Sequence, residues 1–290
     1  MSNLIELAIN ALNLGSLYAL MALGLVLVYG ILRLVNFAYG ELVMVVGYAL
    51  YLMQGSPLPW LVMAVVALMC AVLASVLTER IAFRPVRDTS LTAMLVTSFA
   101  VSTLLQTSAE MFISARSRVV PMPDLFTTTV EIAGNNVAVR ELIAIVTSLV
   151  MLGLFTLILN RTVLGIALRA AAENFRMTRM LGIPANTVIS TAFAISGFLA
   201  GTVALFWLGR TGSVTPGIGL QPLIVAFVAT VLGGMHSLLG AVVGGYALGL
   251  ITVVINTFMP EGLTSYRQAF VFALVIVILI ARPEGLVRNK

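Results

Sequence analysis

Gly30-Ile31-Leu32-Arg33-Leu34-Val35-Asn36-Phe37-Ala38-Tyr39-Gly40-Glu41 separates two apolar runs, one at about 5–30 and one at about 40–53. A helix needs about 20 apolar residues to cross the hydrocarbon core, with a range of roughly 17–25. The first run is long enough. The second is short and starts beside a carboxylate. A matching break lies at Gly209-Arg210-Thr211-Gly212-Ser213-Val214-Thr215-Pro216-Gly217-Ile218-Gly219, ahead of a short run at 220–234 that contains Pro222. Each break follows a long helix and carries Gly and polar residues. Paired broken helices on opposite sides of a membrane are what an inverted-topology repeat produces, and they point to a transport pathway. Two unrelated helix ends rich in Gly and Pro give the same pattern, so both readings stand at this stage.

Working outward, full-length apolar runs occur at about 58–78, 91–110, 141–160, 187–208, 238–258 and 267–282, besides 5–30. The fold expected is an all-α integral membrane bundle of about 8–9 spans, two of them interrupted or re-entrant, forming a single permease domain over 1–290. The first run lacks Lys and Arg until Arg33 and has no clear small-residue cleavage site, so it reads as a retained span rather than a secretory signal. Nine crossings place the N-terminus outside and the C-terminus inside. Arg33 and three basic stretches (79–90, 160–187 and the tail from Arg282) then face inward. Arg116, Arg118, Arg140, Arg210 and Arg267 face outward. That bias has the sense of the positive-inside rule. The longest outer loop, 111–140, is long enough to carry structure of its own.

Composition excludes much else. The chain is 60% hydrophobic and 9% charged, with mean hydropathy +1.10, whereas a soluble domain carries about 25% charged residues. The basic balance reads as attraction to anionic lipid headgroups rather than to nucleic acid. Cys70 and His236 are the lone cysteine and histidine, so no internal disulfide and no zinc site built on several Cys or His ligands can form. Lys290 is the only lysine, so no P-loop exists. If transport uses ATP, another chain hydrolyses it. No cofactor or metal motif is present. A membrane hydrolase would need a base beside its nucleophile. His236-Ser237 lies in a Gly-rich turn with no Gly-x-Ser-x-Gly elbow, so an enzyme is not expected.

The segment 161–186 differs from the spans. Ala, Leu, Met, Arg and Glu favour helix there, Gly182 can end it, and Pro184 follows shortly after. An amphipathic inner helix is expected, either docked into a groove of a protein partner or held on the lipid surface by its Arg residues.

This segment resembles the cytoplasmic loop of permease subunits from branched-chain amino acid ABC importers, the leucine–isoleucine–valine type. So do Tyr29 to Glu41, Glu79-Arg80-Ile81-Ala82-Phe83-Arg84-Pro85-Val86-Arg87, Val231 to Gly245 and Ala281-Arg282-Pro283-Glu284-Gly285-Leu286. The likeness covers essentially the whole chain and is nearer the shorter of the two permeases that pair in such importers. Two departures stand out. His236 occupies a position that often holds Gly, and the inner loop reads Ala170-Ala171-Ala172-Glu173-Asn174 where the wider ABC-importer pattern begins Glu-Ala-Ala. The resemblance implies a second permease, identical or paralogous, two cytoplasmic ATP-binding subunits, and an extracytoplasmic substrate-binding protein. It implies location in a bacterial inner membrane. It assigns ATPase coupling to Arg169, Glu173, Asn174, Gly182 and Ile183.

Glu41 is the intramembrane carboxylate, and such groups default to a functional hypothesis. It either meets the ammonium of a passing amino acid or is a helix N-terminal acid satisfied by the dipole and by Arg33. Asn36, Tyr39, Gln221 and Asn256 are further pathway candidates, each equally suited to an interhelical hydrogen bond. Gly240, Gly244, Gly245 and Gly249 repeat a four-residue spacing that lets helix backbones approach closely, within one subunit or at a dimer seam. The function expected is ATP-driven import of branched-chain amino acids. The rivals are an ion-gradient transporter of amino acids, urea or amides, and a passive channel.

Overall fold

The computed structural model describes residues 2–87, 89–132, 135–235, 237–283 and 285–287; the side chains of 2–4, 132, 135, 174–176, 179, 185 and 261 lie outside that description, as does His236 entirely. Seven helical stretches are long and apolar enough to cross a membrane, and two shorter apolar helices, Phe37–Leu52 and Leu220–Gly233, accompany them. This is the set of spans the hydropathy runs outlined, and the chain is an all-α polytopic membrane protein. The helices are α1 (Ser2–Leu32), α2 (Glu41–Leu52), α3 (Trp60–Leu77), the single turn α4 (Arg84–Val86), α5 (Leu91–Phe112), α6 (Val139–Arg161), α7 (Val163–Met180), α8 (Ala185–Thr211), α9 (Leu220–Gly233), α10 (Leu238–Phe258) and α11 (Arg267–Ala281).

One stretch ran longer than its hydropathy suggested. The span expected at 58–78 continues to Val86, because a π-helical turn at Thr78–Phe83 carries α3 into α4 without a break. A π turn inserts one residue and re-aims those that follow. Glu79 and Phe83 are both buried there.

Burial separates interior from peripheral helices. The most apolar window of α1 is 89% buried, whereas the figure is 11% for α5 and for the stretch containing α11. Apolar side chains on the outer faces of α5 and α11 have no core to enter, so lipid is their solvent.

The contacts divide the chain into two compact units. The first comprises 1–26, 123–151 and 224–290. In it α1 and α10 pack through glycine: a Cβ on Gly245 would overlap the backbone of Ala19, and one on Gly249 the backbone of Gly15. Gly244 lies equally close to the backbone of α9 at Ala229 and Gly233. Thr230 Oγ1 donates to Ala22 O at 3.3 Å, joining α9 to α1. The segment after α11 returns to α9, where Leu286 N donates to Leu232 O at 2.9 Å. Part of the outer loop forms an antiparallel hairpin here, β2 (Thr129–Ile132) with β3 (Asn135–Ala138), Thr129 opposite Ala138.

The second unit comprises 27–122 and 152–223. Its centre is the trio α2, α3 and α8. Gly197 lies against Ser75 and Ala71, and Gly201 against Leu68 and Ala71, so α3 and α8 run antiparallel at close range. Ser75 Oγ donates to Phe193 O at 2.7 Å. The outer loop begins here with β1 (Arg118–Val119), which pairs antiparallel with β4 (Ser213–Val214). Trp60 Nε1 donates to Pro121 O at 3.2 Å, and Arg118 stands over the Tyr51 ring at 5.5 Å. The loop 111–140 thus carries the β2–β3 hairpin in the first unit and the single strand β1 in the second.

Candidate functional site

Both sequence breaks lie at one point. A Cβ on Gly40 would run into Gly219 O, and one on Gly219 into Gly40 O, so the two backbones touch where α2 and α9 begin. Only glycine permits this approach. At 1.5 Å per residue, the 12 residues of α2 reach roughly 18 Å and the 14 of α9 roughly 21 Å. Both fall short of a hydrocarbon core of about 30 Å. Non-helical backbone at membrane depth must be covered by protein or line a cavity, and here each break covers the other.

The first break is pinned from three sides. Arg33 has φ +56°, the left-handed region, and its Nη2 donates to Ala172 O of α7 at 3.0 Å. Asn36 caps the turn Phe37–Tyr39, its Oδ1 accepting from Ala38 N. Ser98 of α5 accepts from Phe37 N at 2.6 Å, and Phe99 stacks on Phe37 with ring centroids 4.0 Å apart.

Glu41 opens α2 and is buried. Its Oε1 accepts from Ser102 Oγ at 2.9 Å and Gln106 Nε2 at 2.7 Å, both on α5. Its Oε2 has no hydrogen-bond partner among the described residues. Arg33, the cation considered for it, is engaged with α7 instead. The negative charge is therefore met by neutral donors and by the N-terminus of α2, where acids are favoured.

The other pathway candidates separate. Asn36 and Tyr39 are buried in the same break as Glu41, with the Asn36 carboxamide used as a cap. Gln221 is exposed in the first turn of α9, two residues beyond Gly219. Asn256 is exposed in the last turn of α10, in the other unit. Gly240, Gly244, Gly245 and Gly249 all face backbone of the same chain, at Gly233, α9 and α1.

The inner segment forms α7. Thr162 starts it, its Oγ1 accepting from Gly165 N at 3.1 Å, and Gly165 sits tight against Ile158 and Leu159 at the end of α6. Leu168 and Ala171 are buried, whereas Met177, Met180 and Leu181 are exposed large apolar residues. Arg169 Nη1 donates to Asn160 Oδ1 at 2.6 Å. Glu173 is exposed, and Asn174 lies on the helix with its side chain outside the described residues. Gly182 has φ +83° and open space around it. Ile183 and Pro184 then lead directly into α8.

Sequence reading missed two polar groupings. Ser98, Ser102 and Gln106 recur every four residues and so share a face of α5, a pattern visible in the sequence. Glu79, Arg87, Asn186 and Ser190 give no such sign, being up to 111 residues apart. Glu79 Oε2 accepts from Ser190 Oγ at 2.6 Å, and Arg87 Nη1 lies 4.0 Å from Glu79 Oε1.

Comparison with known proteins agrees with this architecture. Residues 7–279 match the family described as branched-chain amino acid transport system / permease component. The chain is 35% identical to the high-affinity branched-chain amino acid transport system permease protein BraD of Pseudomonas aeruginosa, over 96% of this chain and 94% of that one. It is 33% identical to LivH of Escherichia coli, over 96% and 93%. A probable branched-chain amino acid permease of Methanocaldococcus jannaschii is 28% identical over 95% and 90%. With its paired half-length helices, its Arg-rich amphipathic helix and this match along nearly its whole length, the chain belongs to the family of branched-chain amino acid transport system permease components.

Proposed function

We propose that this chain is the membrane-spanning permease subunit of an ATP-driven importer for branched-chain amino acids. It forms the translocation path and leaves ATP hydrolysis to separate subunits. The observation that carries the reading is α7, an exposed amphipathic helix joined to α8 by a single tight turn. Met177 and Met180 on it, and Leu181 just beyond its end, are exposed large apolar residues, which suits a groove on a soluble protein. Residues 1–290 work as one permease domain with two ATP-binding subunits, a second permease and an extracytoplasmic binding protein, in a bacterial inner membrane with α7 on the cytoplasmic side. Arg169, Glu173, Asn174, Gly182 and Ile183 couple to the ATPase. The path runs past Asn36, Tyr39, Glu41, Gln221 and Asn256. The glycines of α10 pack helices within the chain.

The test is purification from native membranes with partner identification by mass spectrometry, followed by ATP-dependent uptake in proteoliposomes. A P-loop ATPase in stoichiometric amount is the expected partner. Gly182→Leu and Arg169→Glu should each leave insertion intact while cutting uptake per ATP at least tenfold, or about 1.4 kcal/mol of coupling. Unchanged uptake in both would remove α7 as the docking element.

One observation favours a second reading. Glu41 is a buried carboxylate in a helix break, a feature shared by transporters driven by an ion gradient. Uptake by the purified chain alone, driven by a proton or sodium gradient, would decide for it.

A further inference from the structure

The polar cluster around the buried Glu79, at the end of the α3/α8 pair nearest α7, is absorbed by none of the roles above. One face of α8 presents Asn186, Ser190, Phe193, Gly197 and Gly201 in successive turns. Opposite them, in antiparallel order, stand Arg87, Glu79, Ser75, Ala71 and Leu68. From Ser75 onward the contact is backbone against small residues, which fixes the two helices rigidly. The other end is polar. Ser190 holds Glu79 Oε2, and Arg87 Nη2 donates to Asn186 Oδ1. Between them Glu79 Oε1 and Arg87 Nη1 face each other at 4.0 Å, and neither makes a hydrogen bond among the described residues.

A charge-assisted N–H···O bond closes at about 2.7–2.9 Å. The pair therefore stands roughly 1 Å short of direct contact, and each group is already held by a residue of α8. Glu79, Phe83 and Arg87 follow one another at four-residue steps along the helix that runs from α3 through the π turn at Thr78–Phe83 into α4, and the Phe83 ring lies 5.7 Å from that of Phe193 on α8. Asn186 follows Gly182 by four residues, so a displacement of α7 reaches this cluster before any other part of α8. A partly satisfied ion pair whose carboxylate is fully buried is sensitive to small movements, because water screens that charge little.

We propose that Glu79 and Arg87 are positioning residues of the transport cycle, a buried latch that carries movement of α7 through the first turn of α8 into α3. This rests on the reading of α7 as the ATPase-coupling helix. The latch has two settings, the separated pair of this structure and a directly bonded pair reached when α7 and the start of α8 shift. Glu79 and Arg87 touch neither ATP nor substrate.

The test uses the complete transporter in proteoliposomes, with Glu79→Gln, Arg87→Gln and the double variant compared for folded yield, melting temperature, ATP hydrolysis and substrate carried per ATP. Each single variant leaves one charge of the pair unmatched and should lower yield and melting temperature. The double variant removes both charges and should regain both quantities. The latch predicts that the double variant nevertheless carries at least tenfold less substrate per ATP than wild type while hydrolysis continues. Wild-type transport per ATP in the double variant would overturn the proposal and leave the pair a packing feature. Wild-type transporter that shows no ATP-dependent uptake would overturn the permease reading and the latch with it.

Discussion

Two antiparallel contacts, α1 with α10 in one unit and α3 with α8 in the other, are built from the same small residues to different ends. In the first, Gly15, Gly245 and Gly249 bring the backbones together, and no ion pair accompanies them among the described residues. In the second, Gly197 and Gly201 achieve a similar approach, but the contact ends in Glu79, Arg87, Asn186 and Ser190. Within lipid the hydrophobic effect does not drive helices together, so close packing and interhelical hydrogen bonds must. The glycine contact is insensitive to charge. The polar end of the other contact lies beside the turn that leads in from α7.

The largest expected effect breaks the glycine side of this comparison. Gly245→Leu would drive a side chain into the backbone of Ala19. Because backbone cannot rotate aside, the loss should exceed the roughly 1–3 kcal/mol of ordinary overpacking. Size-exclusion profiles in detergent should show aggregate in place of a single peak. A normal peak would mean that α1 and α10 are not packed as described.

Next comes the polar side. Glu79→Ala leaves the part-buried Arg87 with Asn186 but no counter-charge and should cost about 2 kcal/mol, read as a lowered melting temperature in detergent. An unchanged melting temperature would show that water, not Glu79, satisfies Arg87.

A smaller effect sharpens the contrast between the two buried carboxylates of the second unit. Glu41→Gln keeps an acceptor for Ser102 and Gln106 but removes the charge. If Glu41 meets the ammonium of the solute, uptake should fall about tenfold, or roughly 1.4 kcal/mol, with folded yield unchanged. Full uptake would assign Glu41 to the helix N-terminus alone. The smallest change is Ser190→Ala, which removes one hydrogen bond to Glu79 and should cost about 1 kcal/mol, less than Glu79→Ala does.

The spans were legible from the sequence, as were the two breaks and the amphipathic inner helix. Leu, Val, Ile and Ala in runs of the right length carry that signal in themselves. The contact of Gly40 with Gly219 was not legible: both breaks were visible, but the sequence reading set the first near the inside and the second near the outside, and nothing in either stretch shows that their glycines touch. Glu41 was singled out correctly as buried, yet Arg33 proved to serve α7, because a left-handed turn at Arg33 sends its side chain away. Glu79 entered only as part of a stretch that carries the family resemblance and was given no role, because a lone acid near the end of an apolar run looks like a helix terminus, and the π turn that extends the helix past it has no sequence signature.

Membrane insertion, helix number and the amphipathic character of α7 follow from sequence alone, since transfer free energy is a sum over neighbouring residues and needs no partner. The tertiary structure alone decided which glycines face which helix, where Arg33 reaches, and that Glu79 meets Ser190 from 111 residues away. Such choices depend on distances of a few ångströms between segments remote in the chain, and hydrogen bonds and buried charges change their free energy most steeply over those distances.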